Sequence, residues 1–520
     1  MRKWVRNHVA DTKYLSQGAR SWILGPRKPQ PEAQAPSNPS FGSNVDANDP
    51  SLDLLAGQSE TSIAATSAGY VLVGWNDATG FLGSDTTAVQ SSLTGVGFSN
   101  DGGATFTDLV GLPNNNPNQQ WSGDPSIVAI DAHHFAVASL YFASFFGVDC
   151  SLPAYLTAAV SIGTVNNAGT DVHFSDPVVV IKPGNLCKRH SRHPISLIDK
   201  EYLSYDPTSR TLAMSFTRFY LSRGYSGLGQ IEVKRATMPA DPAALSSADF
   251  VPPVIVWPEE RYCNNGSERK QCGAVNAGSY PAVAPNGDVY VGWERNLFTN
   301  FDFGGDPWIH EHAAYIPAGS AVPTVGGTDS PVYITDGQVN GHAYGGVKSV
   351  SNAPIAGYTR YTVDDFPRIA YDATTNGVVF SWQDASLHPL GDIWLRSMST
   401  GLASMGAIQK VNDGGDWALP LFPAVSVGSD GSIRTSWYDR GAYGGSSTLT
   451  DYVGEIRPSA GVNRPDFTIS TGPTDWLGTS SQINPNFGDY TDNVTVGTTT
   501  YYTWSDGRPG VPQPFVDSSS

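Results

Sequence analysis

One pattern of apolar and polar residues recurs seven times along the chain. A short apolar stretch opens with Pro, Asp or Glu, a polar turn follows, and a second apolar stretch usually ends in Trp and a charged residue. Stretches such as VLVGW and VYVGW are rich in β-branched and aromatic residues and end at turn-forming residues, which is typical of strands. The repeats begin near residues 60, 124, 199, 279, 366, 422 and 487.

This repetition predicts an all-β fold. A unit of roughly 55–90 residues is too long for a solenoid turn, but it suits a four-stranded propeller blade with insertions. We therefore expect a single β-propeller of seven four-stranded blades over residues 51–520, with six blades as the alternative. The first or last blade should close the ring by exchanging a strand, because an open edge invites aggregation.

The first 50 residues differ from the rest. Residues 1–28 are basic although the whole chain carries a net charge of −17, and residues 25–50 are rich in Pro, Asn and Ser. This predicts a basic N-terminal arm and a Pro-rich linker over residues 1–50, with residues 1–28 available to a protein partner. The acidic remainder argues against nucleic acid as a partner. The longest apolar stretch, residues 135–148, is too short to cross a membrane, so we expect no transmembrane segment.

The four cysteines bear on where the protein is located. Cys263 and Cys272 bracket a polar loop, and Cys150 and Cys187 remain as a second possible pair. Neither spacing matches a zinc site. An even count on loops favours two disulfides and an extracellular or cell-surface location; four thiols in a reducing compartment are the alternative. No signal peptide is visible at the N-terminus, which points the other way.

One short motif predicts a structural turn. Ser99, Asp101, Gly103, Thr105 and Phe106 match the Asp-box pattern S-x-D-x-G-x-T-W, with Phe in place of Trp. The aspartate can accept hydrogen bonds from its own turn, the glycine can take a positive φ, and the aromatic ring can pack beneath.

The repeats and this motif together resemble the sialidase-like Asp-box (BNR-repeat) propellers, including bacterial proteins of the exo-sialidase or glycosyl hydrolase type. The resemblance rests on the DKE…DP block at 199–207, the block at 280–293 and the final GDY…WSDGR block at 488–508. It implies that strand starts and W-x-D/R strand ends form one ring of polar groups on the functional face. Glu60 and Asp124 are among the strand starts.

The resemblance also implies roles for individual residues. Tyr490 corresponds to the family's nucleophile, Glu294 to its carboxylate partner and Asp77 to the acid/base. The expected substrate-binding residues lie at the same strand starts and ends: Arg218, Arg295, Arg368, Arg440, Arg508, Glu201 and Asp384. The alternative for each is a salt bridge at the end of a strand ladder.

Two functions from different classes remain open at this point. The first is a glycoside hydrolase acting on extracellular glycans or glycoproteins. The second is a non-catalytic propeller that binds a glycan or a protein through the same face, docked to a larger assembly by its N-terminal arm. Neither requires a cofactor; the many Asp and Asn residues in turns leave room for structural Ca²⁺, and we identify no metal ligands.

Overall fold

The computed structural model describes about two thirds of the chain, with gaps in the N-terminal segment and in several connections. The described residues are 42–52, 57–79, 92–113, 119–142, 156–181, 196–220, 228–258, 260–261, 273–298, 308–328, 330–334, 347–348, 366–385, 387–388, 390–415, 418–444, 447–458, 462, 464–479 and 487–520.

The described residues form seven antiparallel sheets, which are the blades of a β-propeller. The chain begins with β1 (Val45–Asp46). The first blade then comprises β2 (Gln58–Ala65), β3 (Val71–Asp77), β4 (Thr94–Ser99) and β5 (Thr107–Asp108), and the second comprises β6 (Gln120–Trp121), β7 (Ser126–Ala129), β8 (His134–Phe142), β9 (Leu156–Val165), β10 (Val172–Phe174) and β11 (Val178–Val179). The third blade comprises β12 (Ser196–Asp206), β13 (Thr211–Tyr220), β14 (Leu228–Thr237) and β15 (Val254–Trp257), and the fourth comprises β16 (Glu260–Arg261), β17 (Gly273–Val283), β18 (Val289–Phe298), β19 (Trp308–Ile316), β20 (Val332–Tyr333) and β21 (Val347–Lys348).

The last three blades complete the ring. The fifth blade comprises β22 (Arg368–Asp372), β23 (Gly377–Asp384), β24 (Asp392–Met398) and β25 (Gln409–Lys410). The sixth comprises β26 (Leu421–Val427), β27 (Ile433–Asp439), β28 (Leu449–Arg457), β29 (Phe467–Thr468) and β30 (Thr474–Asp475). The seventh comprises β31 (Asp492–Val496), β32 (Thr499–Asp506) and β33 (Gln513–Ser519). Two short 3₁₀ turns, Pro242–Ala244 and Thr400–Leu402, lie in the connections between strands.

The prediction of seven blades is confirmed. The innermost strands β2, β7, β12, β17, β22, β26 and β31 contact one another in this order, and β31 returns to β2. Because each second strand runs antiparallel to the innermost one, the start of the innermost strand and the end of the second lie at one face. We call this face the mouth.

A hydrophobic core lies at each interface between neighbouring blades. Seven clusters of buried residues are present, and each draws most of its members from two adjacent blades. The tryptophans of the repeat belong to these clusters, and Trp75, Trp293, Trp382, Trp437 and Trp504 are all fully buried. A single blade cannot cover its own apolar faces, so the blades are stable only as a ring.

The ring closes through β1. Val45 pairs with Val516 and Asp46 with Phe515, which makes β1 the outermost strand of the seventh blade. The expected strand exchange is therefore observed. β1 lies within residues 1–50 and forms the edge of the seventh blade. Residues 1–41, which include the basic segment, lie outside the described residues.

The innermost strands share a distortion where they begin. In six blades a residue in or just before the mouth end of the innermost strand has a positive φ, and four ladders shift register at this point. These residues are Glu60 (56°), Asp124 (55°), Lys200 (52°), Gly278 (62°), Phe422 (55°) and Gly488 (77°). Such bulges re-aim side chains, and a positive φ in a residue other than Gly costs about 1–3 kcal/mol and often marks a functional site.

Candidate active site at the mouth of the ring

Four charged side chains from four blades meet at the mouth. The Lys200 Nζ lies 2.9 Å from Asp489 Oδ2, 3.0 Å from Asp124 Oδ2 and 3.8 Å from Glu60 Oε2. We call Glu60, Asp124, Lys200 and Asp489 the Lys200 cluster. Its side chains are nearly buried, and Lys200 and Asp124 are the most accessible at 10% and 11%. Three carboxylates thus share one ammonium group.

Asn76 holds two of these carboxylates in place. Its Nδ2 donates to Glu60 Oε2 at 2.8 Å and to Asp124 Oδ1 at 3.2 Å, while its Oδ1 accepts the backbone N–H of Asp124. Asn76 is the middle residue of the W-x-D end of β3. The end of β3 therefore holds both the backbone and the side chain of Asp124, which lies just before β7 of the second blade.

A glycine allows the seventh blade to approach Glu60 closely. A Cβ on Gly488 would lie 2.2 Å from Glu60 Cγ and 2.7 Å from the Glu60 backbone nitrogen, and Gly488 has a positive φ. Both constraints exclude a larger residue here. The close approach places the following residue, Asp489, within reach of Lys200.

The carboxyl groups around Lys200 differ in pKa. Burial raises the pKa of Asp124, but the Lys200 ammonium and hydrogen bonds from its neighbours lower it further than burial raises it, so the pKa lies below its ordinary value. Burial raises the pKa of the half-buried Asp199 to about 6, with Lys200 acting against the shift and Asp124 adding to it. The site therefore holds both an ionised carboxylate and a carboxyl that takes up a proton in mildly acid solution.

Two further groups complete the electrostatics of the site. Burial lowers the pKa of the Lys200 ammonium, but Asp124, Asp489 and Glu60 hold it well above its ordinary value, so Lys200 is charged. Burial, supported by the Asp124 carboxylate, raises the pKa of the fully buried Glu201 well above its ordinary value. Neither carboxyl oxygen of Glu201 has a hydrogen-bond partner among the described residues.

An aromatic cage surrounds a second cation on the innermost strands. The guanidinium carbon of Arg368 lies 4.7 Å from the ring centroid of Tyr280, 4.9 Å from that of Tyr202 and 5.3 Å from that of Tyr490. We call Tyr202, Tyr280 and Tyr490 the tyrosine cage. The Arg368 Nη2 also donates to the Thr491 carbonyl at 3.1 Å. Cation–π contacts to desolvated rings of this kind contribute about 2 kcal/mol or more.

Asp492 links the cage to the first blade. Its Oδ2 accepts a hydrogen bond from the Ser62 hydroxyl at 3.0 Å and another from the Ile63 N–H at 3.3 Å. Burial raises the pKa of Asp492 to about 6, and the Arg368 guanidinium acts against this shift.

The three residues expected to be catalytic lie in different surroundings. Tyr490 belongs to the cage; its ring centroid lies 5.5 Å from Lys200 Nζ, and its buried hydroxyl has no hydrogen-bond partner among the described residues. Asp77 Oδ1 accepts from Gln58 Nε2 at 3.1 Å and from the Thr79 N–H at 2.8 Å. Glu294 is buried in β18, opposite Ala277 and Glu311 in the ladders. Their catalytic roles stay predictions.

Several expected substrate-binding residues have strong partners within the protein. Arg218 makes a bidentate pair with Glu232, with Nη2 at 3.0 Å from Oε2, and Arg508 Nη2 lies 2.7 Å from Asp506 Oδ2. For these two residues the geometry is that of a salt bridge at the end of a strand ladder.

The other expected substrate-binding residues are more dispersed. Arg440 is fully buried, its Nε donates to Thr450 Oγ1 at 2.8 Å, and burial lowers its pKa to about 10. Arg295 is half-buried in β18, and Asp384 is buried opposite Asp392. The structure thus brings Arg368, Glu201 and Tyr490 together around the Lys200 cluster and the cage, and leaves the rest at separate strand ends.

Sequence reasoning found part of this site and missed the rest. It placed Glu60 and Asp124 at strand starts facing the mouth, where both contact Lys200. It did not single out the other residues of the site, which lie near the starts of the innermost strands or, for one of them, at the end of β3: Lys200, Tyr202, Tyr280, Asp489 and, at the end of β3, Asn76. Their position within the repeat could have indicated them, because each of these residues lies in one of the repeated segments.

The Ser99–Phe106 turn has the geometry of a structural turn. Ser99 Oγ donates to Asp101 Oδ1 at 2.7 Å, and the same carboxylate accepts from the Thr105 N–H at 2.9 Å and the Thr105 hydroxyl at 2.6 Å. Gly103 has a φ of 87°, and Phe106 packs at the interface between the first and seventh blades. The turn joins the third and fourth strands at the face opposite the mouth.

Other expectations fall outside the described residues or find no test there. Cys150, Cys187, Cys263 and Cys272 all lie outside them, so the two disulfides stay a prediction. No group of three or more His, Cys, Asp or Glu residues in the described ranges could hold a metal ion. Structural Ca²⁺ remains untested. No described helix is long and apolar enough to cross a membrane.

Comparisons with known proteins found similar solved structures. No family profile and no curated protein matches the sequence. Among solved structures, an α-L-arabinofuranosidase from Fusarium graminearum in complex with an iminosugar inhibitor aligns with 92% of this chain and 97% of its own, at 11% identity and a TM-score of 0.40. An α-L-arabinanase from Penicillium chrysogenum complexed with arabinobiose aligns with 93% of this chain and 99% of its own, at 10% identity and a TM-score of 0.41.

A sialidase is also among the similar structures. The Trypanosoma rangeli sialidase, in a covalent intermediate with 2,3-difluorosialic acid, aligns with 76% of this chain and 53% of its own, at 10% identity and a TM-score of 0.37. Likeness at this level of identity concerns the fold alone, and propellers of one fold carry out unrelated functions.

Proposed function

We propose that this propeller is a glycoside hydrolase whose reacting groups lie at the Lys200 cluster. The observation that carries the proposal is the convergence of three carboxylates from three blades on Lys200 at the mouth, among them Asp124 with its Oδ2 at 3.0 Å from the Lys200 Nζ. The pKa shifts agree with this geometry, since that of Asp124 is lowered while that of Asp199 is raised to about 6. Neighbouring carboxyls with pKa values moved apart are the arrangement that glycoside hydrolysis uses, with one as acid and one as base or nucleophile.

Each group has a role in this scheme. Asp199 is half-buried and protonated in mildly acid solution, so it donates a proton to the leaving-group oxygen. Asp124 stays ionised and acts as the base or the nucleophile. Lys200 keeps Asp124 ionised through the contact at 3.0 Å and is a positioning residue. Because the substrates are glycans, we place the activity outside the cell or at its surface.

This assignment differs from the one that the sialidase resemblance implies. A tyrosine nucleophile needs a base to take its proton. The Tyr490 hydroxyl is buried without a hydrogen-bond partner among the described residues, and burial raises its pKa well above the ordinary value. Tyr490 therefore acts here as a packing surface for Lys200 and Arg368, and the chemistry moves to the carboxyls of the second and third blades.

A glycan-binding propeller without turnover is the second candidate. The observation that favours it is the close pairing of the cluster, because Lys200 already satisfies Asp124 and Asp489 and is only 10% exposed. A cluster of ion pairs of this kind can hold neighbouring blades together beneath a binding face without taking part in catalysis.

Turnover measurements separate the two candidates. The full chain is assayed on a panel of aryl glycosides and oligosaccharides that includes arabinofuranosides and sialosides, with glycan-array binding in parallel. For a hydrolase we expect turnover that falls by at least about 100-fold in Asp124→Asn and in Asp199→Asn. Asp241→Asn is the matched control, since this exposed residue caps a 3₁₀ turn at the opposite face and asparagine caps equally well. Array binding without turnover of any substrate would establish the binder instead.

A further inference from the structure

A groove runs along the outer side of the second and third blades. It has a volume of about 880 Å³ and lies between residues 178–181 of the second blade and β14 of the third. It reaches the mouth at Arg218, near the end of β13, and extends to Ser246 toward the opposite face. We call it the flank groove. The proposed reacting groups, Asp124 and Asp199, belong to the same two blades, so the groove leads outward from their junction.

Lys234 places a half-buried ammonium in the flank groove. Its Nζ donates to the Val180 carbonyl at 2.7 Å across the blade junction, and it forms no ion pair with a carboxylate of the described residues. Burial lowers the pKa of Lys234 below its ordinary value, and the Glu232 carboxylate acts against this shift. An anion bound in the groove would therefore stabilise the charged form that burial disfavours.

A second cation lines the same groove. Arg218 uses Nε and Nη2 for its pair with Glu232, which leaves Nη1 without a partner among the described residues. Glu232 and Lys234 are two residues apart on β14 and so share one face of the blade, which places both cations on the side of the groove. Asp176 also lines it, but this residue is exposed, where solvent and salt screen its charge. Arg218 and Lys234 can thus both donate to one extended anionic ligand.

The edge of the second blade adds neutral hydrogen-bonding groups. The Val180 N–H donates to the Ala158 carbonyl at 3.1 Å, and bonded pairs alternate in an antiparallel ladder, so the N–H and C=O of Val179 face away from β9. Val179 and the exposed Ser247 both line the groove. Pro177, directly before β11, lacks an N–H and disfavours an added peptide strand at this edge. These groups suit the hydroxyls of a sugar chain better than a peptide.

We infer that the flank groove binds an anionic stretch of a glycan, in which the sugars carry a carboxylate or a sulfate ester. The anionic group pairs with Lys234 and Arg218, and sugar hydroxyls bond to the edge at Val179. The chain continues from there to the mouth. The inference rests on the proposed function in that it takes the mouth to be the glycan site. It concerns recognition away from the reacting groups, so it holds for a hydrolase and for a binder alike.

The test is a matched series of sugar chains. Binding to the full chain is measured by calorimetry for a galacturonate hexasaccharide, its fully methyl-esterified form and a sulfated galactan hexasaccharide. The first two share a backbone and differ in charge, and the third carries sulfate in place of the carboxylate. We expect at least one anionic chain to bind at least about tenfold more tightly than the neutral ester, and the tighter one identifies the anion. Added salt should reduce the preference.

Variants show whether the preference arises in the flank groove. Lys234→Met removes the unpaired cation, and Ser247→Asp places a negative charge at an exposed position in the groove. Each should bring the anionic chain and the neutral ester to within about threefold of each other. Arg235→Met is the matched control, because Arg235 is the next residue of β14 but faces the fourth blade, where it bonds to the Pro317 carbonyl at 3.0 Å. This control should retain the full preference, and melting temperatures show that the variants are folded.

The results separate this inference from the proposed hydrolase. Equal or tighter binding of the neutral ester overturns the inference, as does a preference that survives in both Lys234→Met and Ser247→Asp. Equally tight binding of a glutamate hexapeptide also overturns it, because the groove would then select charge and not sugar. If a glycan is turned over and Asp124→Asn abolishes this, any of these results leaves the hydrolase standing without the groove. The expected preference with no turnover of any glycan would overturn the hydrolase and leave the inference standing.

Discussion

The Nζ of Lys200 lies 2.9 Å from Oδ2 of Asp489, which joins the third blade to the seventh. Lys200 also reaches Asp124 in the second blade and Glu60 in the first. Arg368 of the fifth blade makes a similar set of contacts with the third, fourth and seventh blades. The side chains of two cations therefore connect six of the seven blades.

Removal of the Lys200 charge should destabilise the ring. Lys200→Met keeps much of the side-chain volume but leaves Asp124, Asp489 and Glu60 as buried carboxylates without a counter-charge. Breaking a buried ion pair in this way costs about 3–5 kcal/mol, so we expect the free energy of unfolding in urea to fall by that amount at neutral pH. Lys234→Met is the control, because Lys234 bonds a single backbone carbonyl, that of Val180. Equal stabilities of the two variants would contradict a stabilising role for the cluster.

The repeat predicted the fold because blade geometry depends on a pattern that tolerates substitution. Apolar residues recur with a period of two, and the Trp near the end of each second strand enters the core between blades, as Trp437 and Trp504 do. The aspartate two residues later was expected to face a ligand. Asp439 and Asp506 instead accept the indole N–H of that same Trp, at 3.0 and 2.9 Å.

The site was harder to predict because it lies where the strand alternation breaks. Lys200 has a positive φ and belongs to a bulge, so counting alternate residues from Tyr202 does not show which way it points. Glu232 was missed for a different reason. It lies in the third strand of its blade, outside the visible repeat, yet it pairs with Arg218. Side-chain pairing of this kind depends on three-dimensional neighbours and leaves no mark in a single sequence.

Loss of the Tyr490 hydroxyl should leave catalysis nearly intact. Tyr490→Phe keeps the ring that packs on Lys200 and Arg368 and removes a hydroxyl without a hydrogen-bond partner among the described residues. We expect kcat/KM to change by less than about fivefold on any substrate that the wild type hydrolyses. A fall of more than about 100-fold, with an unchanged melting temperature, would restore the tyrosine-nucleophile assignment and argue against Asp124.

The pH profile of turnover should follow the two carboxyls. The proposed acid, Asp199, must be protonated and the proposed base, Asp124, must be ionised. Because the pKa of Asp199 is about 6 and that of Asp124 is below its ordinary value, kcat/KM should be highest on the acid side of pH 6 and fall as the pH rises further. A profile that rises toward alkaline pH would exclude Asp199 as the acid.

Stability should depend on pH through Asp492. The pKa of this carboxyl is raised to about 6 in the folded protein, so between about pH 4 and 6 the folded state binds more protons than the unfolded state. Its contribution therefore favours folding at the acid end of this window and is lost as the pH rises through 6. Asp492→Asn lacks this titration, so its stability relative to wild type should improve by up to about 3 kcal/mol between pH 4 and 7.

An aspartate with the opposite shift provides the control for this measurement. Burial raises the pKa of Asp101, but hydrogen bonds from Thr105 and Ser99 together lower it more, so it lies below its ordinary value. The stability that Asp101 contributes is therefore lost only as the pH falls below about 4, and Asp101→Asn should gain relative stability there while changing little between about pH 5 and 7, where Asp492→Asn improves. Urea unfolding of both variants and the wild type from about pH 3 to 7 checks the two windows, and parallel trends in the two variants would refute the assignment.

The start of the propeller can be located by truncation. The contacts of the described chain with the seventh blade begin at Gly42, whose N–H donates to the Ser518 carbonyl, and they continue through Asn44 and β1. Asn44 Nδ2 donates to the Ile469 carbonyl at 3.0 Å, and Arg508 Nη2 donates to Asn44 Oδ1 at 2.9 Å. This short segment therefore covers the edge of β33 and links it to the sixth blade.

Two deletions differing by seven residues make this a direct comparison. Removal of residues 1–41 keeps every contact of the described segment, so we expect the melting temperature to change little. Removal of residues 1–48 also deletes β1 and the buried Ala47, exposing the edge of β33. We expect a lower melting temperature and concentration-dependent association by size-exclusion chromatography, because an uncovered strand edge pairs with other chains. If both deletions melt alike, β1 does not close the ring; if both melt well below the full chain, residues 1–41 also contribute to its stability.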